Sequence, residues 1–395
     1  MAVLKGGSSQ PVLMDQVGTA SADAVALANA LAVSSSQVVV SGSGDSTVSA
    51  SGTGFTFSGG TATGGTISVI AESTGDASVF ALTELHFSYT ELAQHVSAGG
   101  DDALAALFAG DDTLTGTAYN DVLNGYAGNN VIEGRGGADV LLAGDGNNHV
   151  WGNAARAEQG SDDGADVIVV GNGTNYVNGN AGADVIVAGN GANRVYGGSG
   201  DDVVTLGNGN NQVNGNVGND VIQVGNGDNV VRGGQGDDVI VAGNALSSGN
   251  NVLMGDLGDD VIRGGGGYDL MTGGAGADIF HVGAGTSHAN SLGGQTYDDE
   301  ITDFTLGTDK LAMDGFTVDR VLTASQPVAN ITVAYAHATS LLSQAADPHA
   351  VAAVAVGGDT YLFFQGSDAS SAVNQVVRLD GIAHPDTLTV DNLFG

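Results

Sequence analysis

The chain has 395 residues, with 66 glycines, only 4 prolines and no cysteine, so its many turns are held neither by disulfides nor by a collagen pattern. Its 44 Asp and Glu face 9 Lys and Arg, a formal net charge of -35 that repels itself in a compact fold unless cations are bound. That balance excludes nucleic acid as a partner, because phosphate contacts need clustered basic side chains and the lysines are Lys5 and Lys310 alone.

In chain order, the segment Met1 to Gly7 lacks the basic start and apolar run of a secretory leader. No apolar run reaches membrane-spanning length, so no transmembrane segment is expected and export would use another signal. Residues 1–109 read as a small N-terminal β-rich domain with short helices. Helical stretches are expected near Ser21 to Val33 and Thr90 to Val96, with Ser, Thr and Gly-rich strands from Gln37 to Ser88. An apolar helix from Ala103 to Phe108 would cover the first coil of a solenoid, whose open end requires such a cap. His86 and His95 have no partner at metal or triad spacing and read as structural or surface histidines. With no H-E-x-x-H and no G-x-S-x-G in the chain, it is not expected to be an enzyme.

Residues 110–285 repeat with a period of nine. Gly197-Gly198-Ser199-Gly200-Asp201-Asp202-Val203-Val204-Thr205 fits G-G-x-G-x-D-x-U-x, a calcium-binding β-helix repeat. Two such units make one coil of eighteen residues, so successive coils stack as two parallel sheets and residues eighteen apart share an edge. Insertions near Ala154 to Asp162 and Ala245 to Ser248 fall in turns.

The sixth position separates into two columns of different chemistry. One holds Asp121, Asp139, Asp166, Asp184, Asp202, Asp220, Asp238, Asp260 and Asp278. The other is Asn at every internal coil from Asn130 to Asn251, with Asp112 and Asp269 at its ends. Calcium takes six or more oxygen ligands, and Asp from adjacent coils plus turn carbonyls would supply them, for about eight ions or more. The Asn column suggests a ladder of side-chain amides running from coil to coil, with a second row of calcium left as the alternative. Outward of the strands after the Asp turns lie Val167 and Val169, Val185 and Val187, Val203 and Thr205. So apolar a face is expected to be covered, by another molecule or by the terminal domains of the same chain.

These repeats resemble the RTX (repeats-in-toxin) proteins. Asp299-Glu300-Ile301-Thr302-Asp303-Phe304 and Gly307-Thr308-Asp309-Lys310-Leu311 are similar to the segment that closes the β-roll in serralysin-type proteases and other RTX proteins. The resemblance spans Asp112 to Leu311 and implies that Asp299, Asp303 and Asp309 are further calcium ligands. Residues 286–395, with strands near Gly357 to Phe364 and Val376 to Ile382, look like the roll-closing and C-terminal secretion region of RTX proteins exported by type I machinery.

The expected fold is therefore mainly β, a parallel β-roll solenoid of nonapeptide repeats flanked by a small N-terminal β-rich domain and a C-terminal β-rich cap. The expected function is that of a secreted, extracellular or cell-surface structural protein of a Gram-negative bacterium. It would fold on meeting external calcium and associate with itself as an oligomer or polymer. The alternative is an adhesin or a module for cell-surface polysaccharide, with a secreted hydrolase in third place.

Overall fold

The computed structural model describes the backbone of residues 3–6, 32–34, 37–41, 46–58, 61–74, 77–83 and 87–88, and backbone and side chains of 108–154, 163–243, 249–282, 299–313, 317–324, 326–365 and 373–394, Asn374 by its backbone alone. The chain divides into two compact units, Met1–Gly198 and Ser199–Gly395, described in turn.

In the first unit an antiparallel meander runs through Gln37–Ser41, Ser46–Ser58, Thr61–Thr74 and Ala77–Thr83, the strands expected between Gln37 and Ser88. Val3–Gly6 lies antiparallel to the last of these and parallel to Thr113–Thr115, so it joins the meander to the first coil. The helix expected from Ser21 to Val33 fails at its end, since Ala32–Ser34 is a strand paired with Gln37–Ser41. β-branched Val33, and Val38 to Val40 in the adjoining run, favour pairing over helix there. Residues 21–31, His86, His95, the helix expected at 90–96 and residues 103–107 lie outside the described residues. Phe108 is described, fully buried and stacked on Tyr126 at 6.4 Å.

Two parallel ladders make the coils of this unit. Val122–Asn124, Val140–Ala143, Val167–Val170 and Val185–Ala188 form one. Thr113–Thr115, Val131–Glu133, His149–Trp151 and Tyr176–Ala181 form the other. Side chains alternate along each strand, so Leu123, Leu141, Ile168 and Ile186 are fully buried in a single apolar stack while Val167 and Val185 are each 39% exposed. Each buried aliphatic side chain contributes about 1.5–3 kcal/mol.

The second unit repeats the plan. Val203–Leu206, Val221–Val224, Val239–Ala242, Val261–Arg263, Ile279–Val282 and Lys310–Met313 are parallel neighbours in that order. So are Gln212–Val217, Val230–Gln235, Val252–Leu257, Asp269–Ala275 and Asp299–Ile301. Turn glycines are obligatory where coils touch. A Cβ on Gly227, at φ +144°, would stand 2.2 Å from the Gly209 carbonyl oxygen one coil away.

Beyond the coils, Arg320–Thr323, Ala350–Val356, Asp359–Gln365 and Val373–Leu379 build a mixed sheet. Helix α1 (Ile331–Ala345) was not anticipated from sequence. It lays Ala334, Ala338 and Leu342 on Ala350, Ala352, Val354 and Phe363. Val373–Leu379 also pairs in parallel with Asp299–Ile301, so this sheet continues one ladder of the roll. Arg378 clamps the joint through Glu300 at 2.9 Å, Asp359 at 2.7 Å and Asp380 at 3.0 Å, while the Tyr268 hydroxyl donates to Glu300 at 2.9 Å.

Candidate metal centre

Within each unit, a column aspartate such as Asp121, Asp166 or Asp220 is fixed by two ladder bonds to the next coil. Its carbonyl accepts the N–H that opens the next coil's strand, as from Val140 to Asp121, Val185 to Asp166 and Val239 to Asp220, each at 2.8 Å. Its own N–H donates to Oδ1 of the next column aspartate: Asp121 to Asp139 at 2.7 Å, Asp139 to Asp166 at 2.7 Å, Asp166 to Asp184 at 2.8 Å. In the second unit the series runs Asp202, Asp220, Asp238, Asp260, Asp278 and Asp309, at 2.7–3.1 Å. One oxygen of Asp139, Asp166, Asp184, Asp220, Asp238, Asp260, Asp278 and Asp309 is thus spent on the backbone of its neighbour.

The other oxygen turns inward. Oδ2 of Asp139, Asp166, Asp220, Asp238, Asp260, Asp269 and Asp278 is buried without a hydrogen-bond donor. Each is aimed at the space over a glycine. An added Cβ would lie 2.2 Å from Asp139 Oδ2 at Gly134, 2.1 Å from Asp166 Oδ2 at Gly152 and 2.0 Å from Asp220 Oδ2 at Gly215. The same point is 2.3 Å, 2.2 Å and 2.6 Å from the carbonyl oxygens of Gly152, Gly179 and Gly233 respectively. A carboxylate oxygen and a main-chain carbonyl oxygen therefore converge with no protein donor between them, so a cation or the carboxyl's own proton has to separate the two acceptors.

The opposite edge solves the same problem with nitrogen. Asn175 Nδ2 donates to the carbonyls of Gly171 at 3.1 Å and Gly173 at 3.5 Å, and onward to Asn193 Oδ1 at 2.8 Å. Asn229 Nδ2 does so to Gly225 at 3.1 Å, Gly227 at 2.9 Å and Asn251 Oδ1 at 2.9 Å. The expected asparagine ladder is present, and its amide protons occupy the turn carbonyls.

The remaining acidic residues fall into place around these edges. Asp112, Asp269 and Asp299 belong to the Asn edge, where Asp112 N–H donates to Asn130 Oδ1 at 3.0 Å and Asp269 N–H to Asp299 Oδ1 at 3.2 Å. Asp309 extends the Asp edge by one coil. Asp303 accepts the N–H groups of Gly273 at 3.0 Å and Gly274 at 2.8 Å, which ties the closing segment to the last Asp turn. Asp121 differs from its column: its Oδ2 takes the Thr117 backbone N–H and the Thr117 hydroxyl, the latter at 3.0 Å, so protein donors already serve it. Sequence reasoning placed Asp121 with the other ligands because Thr117, four residues earlier, lies outside the column it followed.

A family model for the RTX calcium-binding nonapeptide repeat matches this chain in successive stretches between residues 108 and 289. The coils are RTX calcium-binding repeats. No curated protein matches the chain. Among the described residues no three His, Cys, Asp or Glu side chains converge on one point. A cradle of this kind would not need them, because the Asp Oδ2 of one coil and the glycine carbonyl oxygens of the turns would hold the ion. An all-oxygen donor set of this kind suits a hard cation, and the residues present fit calcium.

The electrostatics agree. Burial, with like charges in adjacent coils adding to it, pushes Asp139, Asp238 and Asp260 up to about 7. Burial raises Asp166 to about 9, with Asp184, Asp139 and Asp163 adding to it. Asp184, Asp220 and Asp278 rise to about 6. In the metal-free RTX fold these groups hold protons more tightly than the unfolded chain, whose carboxyls titrate near 3.8. The stability they contribute is full below that value and is lost as pH rises through about 6 to 9. Metal-free protein prepared on chelating resin is therefore expected to show more β structure by circular dichroism at pH 5 than at pH 8. With calcium bound, the metal competes with protons and the order reverses. A metal-free signal independent of pH would refute this account.

Proposed function

We propose that this RTX protein is an extracellular structural protein of a Gram-negative bacterium, exported by type I machinery, that folds and then self-assembles on meeting external calcium. The observation that carries the reading is the coincidence of cation cradles with an apolar outer face. Val167, Val169, Val185 and Val187 in the first unit and Val203 and Val221 in the second are 37–44% exposed. Such a stripe favours association. Among the described residues no helix is long and apolar enough to cross a membrane.

A second reading, a polysaccharide-binding module, is favoured by one feature of the first unit. His149, Trp151, Tyr176 and Tyr196 form a run of rings with centroids 5.7–5.9 Å apart on the outer face, and Arg194 lies 5.3 Å from the Tyr196 ring. Every ring there carries a polar atom, as a sugar platform requires, whereas the valine stripe carries none.

Negative-stain microscopy with and without calcium separates the two. The structural reading expects ordered polymers in calcium that Val185→Asp converts to folded single particles. Soluble particles in calcium, with Trp151 fluorescence that responds to added polysaccharide, would replace it with the second reading.

A further inference from the structure

Each strand of the roll has two inward positions, and the second one differs between the edges. On strands leading to an Asp turn it is glycine, five residues before the aspartate: Gly134 before Asp139, Gly179 before Asp184, Gly215 before Asp220, Gly233 before Asp238 and Gly255 before Asp260. On strands leading to an Asn turn the same place holds Ala143, Val170, Ala188, Leu206 and Val224, before Asn148, Asn175, Asn193, Asn211 and Asn229. All five of these side chains are buried, at 1–4% exposure. The glycine leaves open the space into which Oδ2 points. The Ala, Val or Leu fills it.

We propose that this roll binds calcium along one edge only, and that the glycine or aliphatic residue closing the preceding strand decides, with the Asp or Asn of the turn, the outcome wherever the Asp is not already served by a protein donor, as Asp121 is by Thr117. Gly with Asp makes a cation cradle, while an aliphatic residue with Asn makes a metal-free turn. The proposal rests on the calcium-binding reading and restricts it. Two independent vacancies would be needed for an ion at an Asn turn, and neither exists. The space is occupied by carbon, and the turn carbonyls are occupied by Nδ2 protons. A divalent ion arriving there would have to displace two hydrogen bonds and would gain no carboxylate in return.

Two positions sharpen the rule. Asn130 follows Gly125, but its own Nδ2 enters the space, 2.8 Å from where a Cβ would stand, and donates to the Gly125 carbonyl at 3.1 Å. Glycine without aspartate is therefore insufficient. Asp269 lies on the Asn edge but follows Gly264, whose Cβ position is 2.3 Å from Asp269 Oδ2, and that oxygen is buried without a donor. The rule assigns a cradle there, the one described departure from a metal-free edge.

The test is a count of bound calcium by atomic emission after equilibrium dialysis of the full chain, with circular dichroism alongside. The wild type is expected to hold about nine ions, one for each Gly and Asp pair other than Gly116 with Asp121, whose carboxylate Thr117 already serves. Gly215→Ala with Asp220→Asn should lose about one ion and keep the β signal in excess calcium. Val224→Gly with Asn229→Asp should gain about one, and Asn229→Asp alone should gain none. A wild-type count near twice the expected one would overturn the proposal, as would a gain of one ion by Asn229→Asp alone. If the Val224→Gly pair does not fold, the wild-type count and the Gly215→Ala pair still decide. A wild type that binds no calcium would instead overturn the calcium reading itself.

Discussion

Stripped of calcium at pH 7.5, the chain is expected to lose most of its parallel coils and to regain them when calcium returns. The Asp edge stacks ionisable oxygens one strand apart, about 4.8 Å, and two charges at that spacing repel by about 3 kcal/mol at an effective dielectric of 20. Because the Oδ2 atoms named above are buried without donors, solvent does little to relieve this. At pH 7.5 burial still leaves Asp166 protonated and Asp139, Asp238 and Asp260 partly so, yet a few ionised pairs already amount to a large share of the 5–15 kcal/mol by which domains are ordinarily stable. Calcium reverses the sign by giving each carboxylate and facing carbonyl a shared positive partner. Far-UV circular dichroism in EGTA measures the outcome, and a spectrum unchanged by the chelator would remove the metal from the account of folding.

Gly191→Val is expected to break the roll even in saturating calcium. The residue sits at φ +137° in an Asn turn, and a Cβ there would stand 1.9 Å from the Gly173 carbonyl oxygen of the neighbouring coil. Neither the left-handed backbone nor the contact can relax without parting the coils, so the cost is expected to be about 4 kcal/mol or more. Gly358→Ala provides the control, since a Cβ there meets nothing within 4 Å and its φ is ordinary. Thermal melting in calcium should separate the two variants by tens of degrees if the roll unfolds as one unit, at about 2–8 °C per kcal/mol. Equal melting points would show that coil contact at this turn contributes little.

Much of the roll was legible in the sequence. The nine-residue period fixed the coils, and an eighteen-residue step separated Asp139, Asp184 and Asp220 from Asn130, Asn193 and Asn211. What could not be read was set by groups off the column. Thr117 satisfies Asp121 through a hydroxyl that the repeat does not specify. Asp303 grips two backbone N–H groups on a turn about thirty residues away in sequence. The aliphatic residue five before Asn148, Asn175, Asn193, Asn211 and Asn229 looked like one more strand residue until its burial opposite an amide showed what it displaces. Helix α1 escaped because Ile331, Thr332 and Val333 favour strand, whereas the Asn330 cap, accepting from the Val333 N–H at 3.1 Å, and the small Ala334 and Ala338 against the sheet decide for helix.

The ladder bonds also give the roll a direction in time. Within each unit the sixth-position N–H groups, as at Asp121, Asp139, Asp220 and Asp238, find their acceptor on the coil that comes after, and at Asp269 and Asp278 that acceptor is Asp299 or Asp309 of the closing segment. At these positions a ribosome makes the donor before its acceptor. Each emerging coil lacks the neighbour that would seat its amide, and the segment able to serve as a mould is made after all of them. These amides therefore wait for the following coil, whereas the N–H that opens each strand, as at Val140, Val185 and Val239, finds its acceptor on the coil already made.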